Sequence, residues 1–150
     1  MTLINRLQDD MKTALKGGEK ERLGVIRLIL AAIKQREVDE RIVLDDAEII
    51  TVLDRMTKQR RESISQFQSA GRTDLADKEE FELTILQTYL PTPLSDTELD
   101  QLIASAISDS SANSIRDMGK VMAIIKPKAQ GRADMSALSA RVKAQLGSTL

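Results

Sequence analysis

The chain has 150 residues, 41% of them hydrophobic, and a formal net charge of −1. That is apolar material for one ordinary domain or two small ones sharing a core, with no global basic field to announce nucleic-acid binding. Cysteine and histidine are both absent, which excludes disulfides, thiolate nucleophiles, thiolate or imidazole metal sites and imidazole acid–base chemistry.

Aromatic residues are limited to Phe67, Phe81 and Tyr89. A single-strand binder that stacks bases on aromatic platforms would carry more, and so would a β-sandwich. The most apolar window, Leu23 to Ile33, is about half of the ~20 residues a membrane helix needs, and it contains Arg27. No secretory signal precedes the first helical pattern. The expectation is an all-α protein, away from membranes and cytoplasmic.

In chain order, Thr2 is placed to cap a first helix with apolar residues Leu3, Leu7, Met11 and Leu15, ended by Gly17-Gly18. A second helix is predicted from about Glu19 to Glu37. Leu23, Ile26, Leu30 and Ile33 form its stripe, and Val25, Leu28 and Ile29 widen it, which suggests a central place in a bundle. Asp45, with Glu48 three residues on, resembles a capping box and opens a long third helix to Ala70, closed by Gly71. On that helix Arg60 shares a face with Ile49, Leu53, Met56, Ile64 and Phe67. It calls for a carboxylate partner from Glu79, Glu80 or Glu82, a structural role; a basic ligand site with Lys58 and Arg61 is the sharper alternative.

Asp74 is placed to cap a fourth helix ending at Tyr89-Leu90. This helix is apolar on two sides, Phe81, Ile85 and Tyr89 against Leu83, Leu86 and Leu90. Pro91-Thr92-Pro93 then interrupts the pattern, giving an expected boundary between an N-terminal helical domain, 1–90, and a C-terminal one, 91–150. The first should resemble a four-helix bundle and the second hold three helices. "SDTE" (95–98) is a capping box for a fifth helix carrying Leu99, Leu102, Ile103 and Ala106, and "SDSSANS" (108–114) reads as a polar loop. Asp117 is placed to cap a sixth helix with Met118, Val121, Met122 and Ile125 inward, ended by Pro127 and Gly131. Asp134 is placed to cap a seventh, with Met135, Leu138, Val142 and Leu146 inward.

The stretch "MGKVMAIIKPKAQGRADM" (118–135) gathers basic residues on one turn. Lys120 projects about 150° from the apolar stripe, Lys126 lies at its margin, and Lys128 and Arg132 belong to the turn. Between residues 110 and 150 there are seven basic residues against two acidic ones, Asp117 and Asp134, both with capping duties. A positive surface is therefore expected. Lys120, Lys126, Lys128 and Arg132 are the candidate phosphate contacts, with Arg116, Arg141 and Lys143 as a second ring. Gly131 suits a left-handed exit from a helix. Gly119 allows a close backbone approach, or leaves helix-terminal N–H groups open to a phosphate. No residue set suggests a metal or cofactor.

"DMGKVMAIIKPKAQGRADMSALSARVKAQL" (117–146) resembles the GatB/YqeY domain family. With "RLGVIRLILAAIKQREVD" (22–39) and "KQRRESISQFQSAGRTDLADKEEFELTILQTYLP" (58–91), the chain is similar to small stand-alone YqeY-like proteins over nearly its whole length. Ala123 and Met135 depart from the pattern, standing where glycines are expected. The resemblance implies a relation to the helical tail of the glutamine-dependent aminoacyl-tRNA amidotransferase B subunit, which helps bind tRNA. It also brings a family-level association with carbon–nitrogen ligase activity, glutamine being the amido-N donor. The residues themselves show neither a GxxxxGK phosphate loop nor an amidase Ser-Ser-Lys segment, so no catalytic site is recognisable. Two readings follow. One is a tRNA-binding accessory module of the translation machinery. The other is a helical adaptor that docks an amidotransferase or tRNA synthetase component without touching RNA.

Overall fold

The computed structural model describes residues 2–148. Among them the chain is all-helical: α1 (Leu3–Lys16), α2 (Lys20–Glu40), α3 (Asp46–Ser69), α4 (Thr73–Gln87), α5 (Asp96–Ser110), α6 (Met118–Ala129) and α7 (Met135–Ser148). One turn of 3-10 helix, Ile115–Asp117, leads into α6. The helices fall into two compact units, Met1–Pro91 and Thr92–Leu150.

In the first unit, local chemistry fixes the helix ends. The Thr2 hydroxyl accepts the Asn5 N–H at 3.3 Å, and Gly18, at φ +69°, turns the chain between α1 and α2. A left-handed residue, Arg41, ends α2, and the Glu37 carboxylate accepts the Leu44 N–H at 2.9 Å across the corner. Asp45 caps α3 through the Glu48 N–H, 2.9 Å away. The capping box expected there is only half made, because the Glu48 carboxylate turns to Arg36 instead.

α4 packs along α3 and reaches α2, while α1 packs on α2 and α3. Leu7, Ile26, Ile29, Ile49, Leu53 and Leu86 are wholly enclosed between them, each contributing about 1.5–3 kcal/mol of burial. Tyr89 closes one end. Its hydroxyl donates to Asp10 at 2.5 Å, its ring lies 4.7 Å beneath the Arg6 guanidinium, and burial followed by the Asp10 bond pushes its pKa up to about 12.

Further expectations are corrected in this unit, among them Phe81 of α4, which is exposed. Leu15 is 58% exposed, and Ala14 takes the buried place in the last turn of α1. Leu28 is 49% exposed, so α2 is covered on one side rather than enclosed. Asp74 does not cap α4. Arg72 stands at that position, and Asp74 pairs with it at 3.1 Å from within the first turn, a bond that holds the Asp74 carboxyl below the usual range.

In the second unit α6 packs against both α5 and α7. Ile103, Val121, Ile125, Leu138, Val142 and Leu146 form the core. Ser95 and Glu98 complete a full capping box on α5. That helix runs on through Ser108–Ser110, which the polar composition had suggested as loop, and it ends at left-handed Ser111. Pro127 likewise does not end α6. It sits in the last turn, and the helix continues to Ala129 before Gly131, at φ +74°, reverses the chain.

Candidate nucleic-acid interface

The basic residues singled out above belong to the second unit, and its helices treat them unequally. α6 carries Lys120, Lys126 and Lys128 and no acidic residue. Its inward stripe turns Lys120 to the opposite side and leaves Lys126 and Lys128 at roughly 80° to either flank. All three are exposed. Lys120 lies 3.7 Å from the Asp117 carboxylate, a loose surface contact, and Lys126 and Lys128 make no ion pair among the described residues. Arg116 and Lys143 are exposed and also outside any such pair.

Arg132 and Arg141 are placed differently. Arg132 Nε donates to the Thr92 carbonyl at 2.8 Å, while the Arg132 carbonyl accepts the Leu94 N–H at 2.8 Å. This residue therefore ties the start of the unit to the turn after α6, with Glu98 at 3.8 Å as a weaker neighbour. Arg141 reaches from α7 to α5, where it pairs with Asp100 and, at 3.1 Å, Asp96. The hydrogen bonds to Asp100 and then Asp96 raise its pKa. Sequence reasoning placed both arginines with the free lysines because their partners lie about forty residues away. Those partners also temper the expected positive surface. α5 holds Asp96, Glu98, Asp100 and Asp109 with no basic residue, so residues 92–150 carry seven basic and six acidic side chains. Charge is segregated between helices rather than positive throughout.

Asp117 also departs from expectation. Its side chain makes no cap bond to α6 and accepts the Asn113 N–H at 3.1 Å instead, bracing the 3-10 turn. Asp134 receives the Ser136 N–H at 3.3 Å at the start of α7. A Cβ added to Gly119 would meet nothing within 4 Å, so no backbone of this unit approaches it closely.

In the first unit, Arg60 lies between Glu82 and Glu79, with Nε at 2.8 Å and 3.2 Å from their carboxylates. Its Nε–H is directed at Glu82; Glu79 Oε2 is within Coulombic reach but receives no directed hydrogen bond. Lys58 and Arg61 are exposed and outside this cluster. Among the described residues no group of three carboxylates could hold a metal ion, and no helix is long and apolar enough to cross a membrane.

An all-helical chain with this tail is matched by the family model described as Yqey-like protein over residues 4–146, and the chain belongs to that family. It is 30% identical, over 97% of its length and 81% of the relative's, to the protein named "Altered inheritance of mitochondria protein 41, mitochondrial" of Pyrenophora tritici-repentis. Proteins of the same name from Eremothecium gossypii and Vanderwaltozyma polyspora are 35% and 33% identical over 63% and 69% of this chain. These matches span 53% and 57% of the respective relatives, little more than half their length. The names overturn the cytoplasmic expectation, since all three relatives are named mitochondrial. That expectation rested on a missing secretory pattern and short apolar windows, which speak to secretion and membrane insertion and not to organellar import.

Proposed function

We propose that the second unit is a tRNA-binding accessory module, with the outward side of α6 lying against the phosphate backbone. The observation that carries this reading is the set of three exposed lysines on a helix without a carboxylate. Lys120 points outward while Lys126 and Lys128 flank the helix on either side, a spread suited to a curved row of phosphates rather than a single anion. Arg116 and Lys143 extend the row, while Arg132 and Arg141 hold the scaffold. Recognition by shape and phosphates needs no stacking platform, which agrees with the scarcity of aromatic residues. On this reading the chain binds and positions; any amide-transfer chemistry associated with the wider family belongs to a partner.

The test is binding of total tRNA to the pure protein across a salt series. A log K against log[salt] slope of magnitude about 2–4 is expected if three to five phosphates are neutralised. Absence of binding even at low salt removes the reading. The second reading, an adaptor for an amidotransferase or tRNA synthetase component, is favoured by a separate observation: Leu28, Val38 and Val43 of the first unit are 49%, 60% and 89% exposed.

A further inference from the structure

The outward side of α2 has an order that its exposed residues taken singly do not reveal. Leu23, Ile26, Ile29 and Ile33 face the core. Directly opposite at 100° per residue lie Gly24, Leu28, Ala31, Gln35 and Val38, all exposed. Their spacing alternates four, three, four, three, the a/d repeat of a helix that meets another helix along a seam. Scattered exposed leucines and valines need no explanation; a heptad row on the side away from the core does. Gly24 adds to the case. It sits mid-helix, where glycine is less favourable than alanine, and a Cβ there would meet nothing within 4 Å. Nothing inside the fold requires that glycine, whereas a second helix crossing at Gly24 and Ala31 could approach closely.

The flank of the seam is charged in one sense. Lys20, Arg27 and Lys34 recur every seventh residue along one edge, and Arg41 follows at the helix end after seven more. All four are exposed and make no ion pair among the described residues. On the opposite edge Val25 is buried and Ala32 half-buried against the core, which leaves Asp39 as the one exposed charge. A second copy is therefore poorly matched. Two α2 seams laid antiparallel would set basic edge against basic edge, and laid parallel would set the basic edge against a nearly neutral one.

We infer that the outward face of α2 docks an amphipathic helix of a partner protein, with apolar residues at heptad spacing and carboxylates along the edge facing Lys20, Arg27 and Lys34. An anionic lipid surface or an RNA would satisfy the cations but would leave the small-residue notch at Gly24 and Ala31 unused. The inference shares only its premise with the adaptor reading and is independent of the tRNA reading, which concerns another unit.

The probe is a labelled synthetic peptide of about three heptads, with leucine at the seam positions and glutamate along both flanks. A twin carries lysine at the flanks. Binding to the full chain is followed by anisotropy. The glutamate peptide should bind saturably, and the lysine peptide at least about tenfold more weakly. Leu28→Glu with Val38→Glu should weaken glutamate-peptide binding about tenfold or more, with helicity retained because both sites are exposed. Arg27→Glu with Lys34→Glu should reverse the preference between the two peptides. Equal binding of the twins, or none, overturns the proposal. So does binding of tRNA or of phosphatidylserine-containing vesicles that the Leu28/Val38 pair of changes abolishes, or a dimer of the parent chain that those changes dissociate.

Discussion

Tyr89 and Arg60 show how single side chains are committed in the first unit. Tyr89 is the only tyrosine in a chain without tryptophan, so its titration can be read alone. Its buried hydroxyl ionises at about 12, against about 10 for the exposed group. Because the folded value is raised, the stabilisation is fully present below pH ~10 and fades between pH ~10 and ~12. Tyrosinate absorbance should rise near the upper value in the native protein and near the lower one in urea; a native midpoint near pH 10 would contradict the burial account. Arg60 faces two carboxylates, and the three side chains retain 15–22% exposure. Arg60→Met should cost about 1–3 kcal/mol by urea denaturation, less than the ~3–5 of a fully buried pair. An unchanged midpoint would mean that the pair contributes nothing. Its partner cluster was legible in the sequence, since a cation on an apolar helix face near three glutamates leaves few alternatives. Arg132 was not legible, because its acceptor is a backbone carbonyl at Thr92 that no side-chain pattern announces.

At the scale of the helix, end signals were legible where the cap bond is made and misled at Asp74 and Asp117, whose carboxylates bond elsewhere. Capping is local, so Thr2, Asp45 and Ser95 could be read from three or four residues each. Which side of α1 or α2 faces the core depends on neighbours distant in sequence, and Leu15 and Leu28 went to solvent. Pro127 misled for another reason. A proline lacks the N–H that would reach the Ala123 carbonyl, but the residues after it stay helical, and the Gln130 N–H to the Lys126 carbonyl, 3.0 Å, closes the last turn. Pro127→Ala should accordingly raise the stability of the second unit by about 1 kcal/mol or more, read as a later loss of helical signal on heating. A lower melting temperature would show that the ring makes a packing contribution. Ser95→Ala should act in the opposite direction by about 1 kcal/mol through loss of the α5 cap.

Over the whole molecule, two compact units each enclose an apolar core. The segments 91–95 and 111–114 lie outside the helices, and limited proteolysis should cut first at one of them. A first cut inside 49–67 or 120–126 would contradict this layout. The net charge of −1 conceals a division of labour in the second unit, acidic along α5 and basic along α6. The total could not show it, because the acids of α5 and the lysines of α6 cancel in a sum and not in space. The proposed tRNA binding rests on contact between the α6 lysines and the phosphates. Its most direct test compares the parent with a Lys120→Gln, Lys126→Gln and Lys128→Gln triple variant across a salt series. None of the three side chains is buried, so the variant should keep its helicity. The expected result is loss of most tRNA affinity, with the salt slope flattened by about 0.7–0.9 for each phosphate contact removed. A folded triple variant that binds tRNA with the parent's affinity and salt slope would contradict the account.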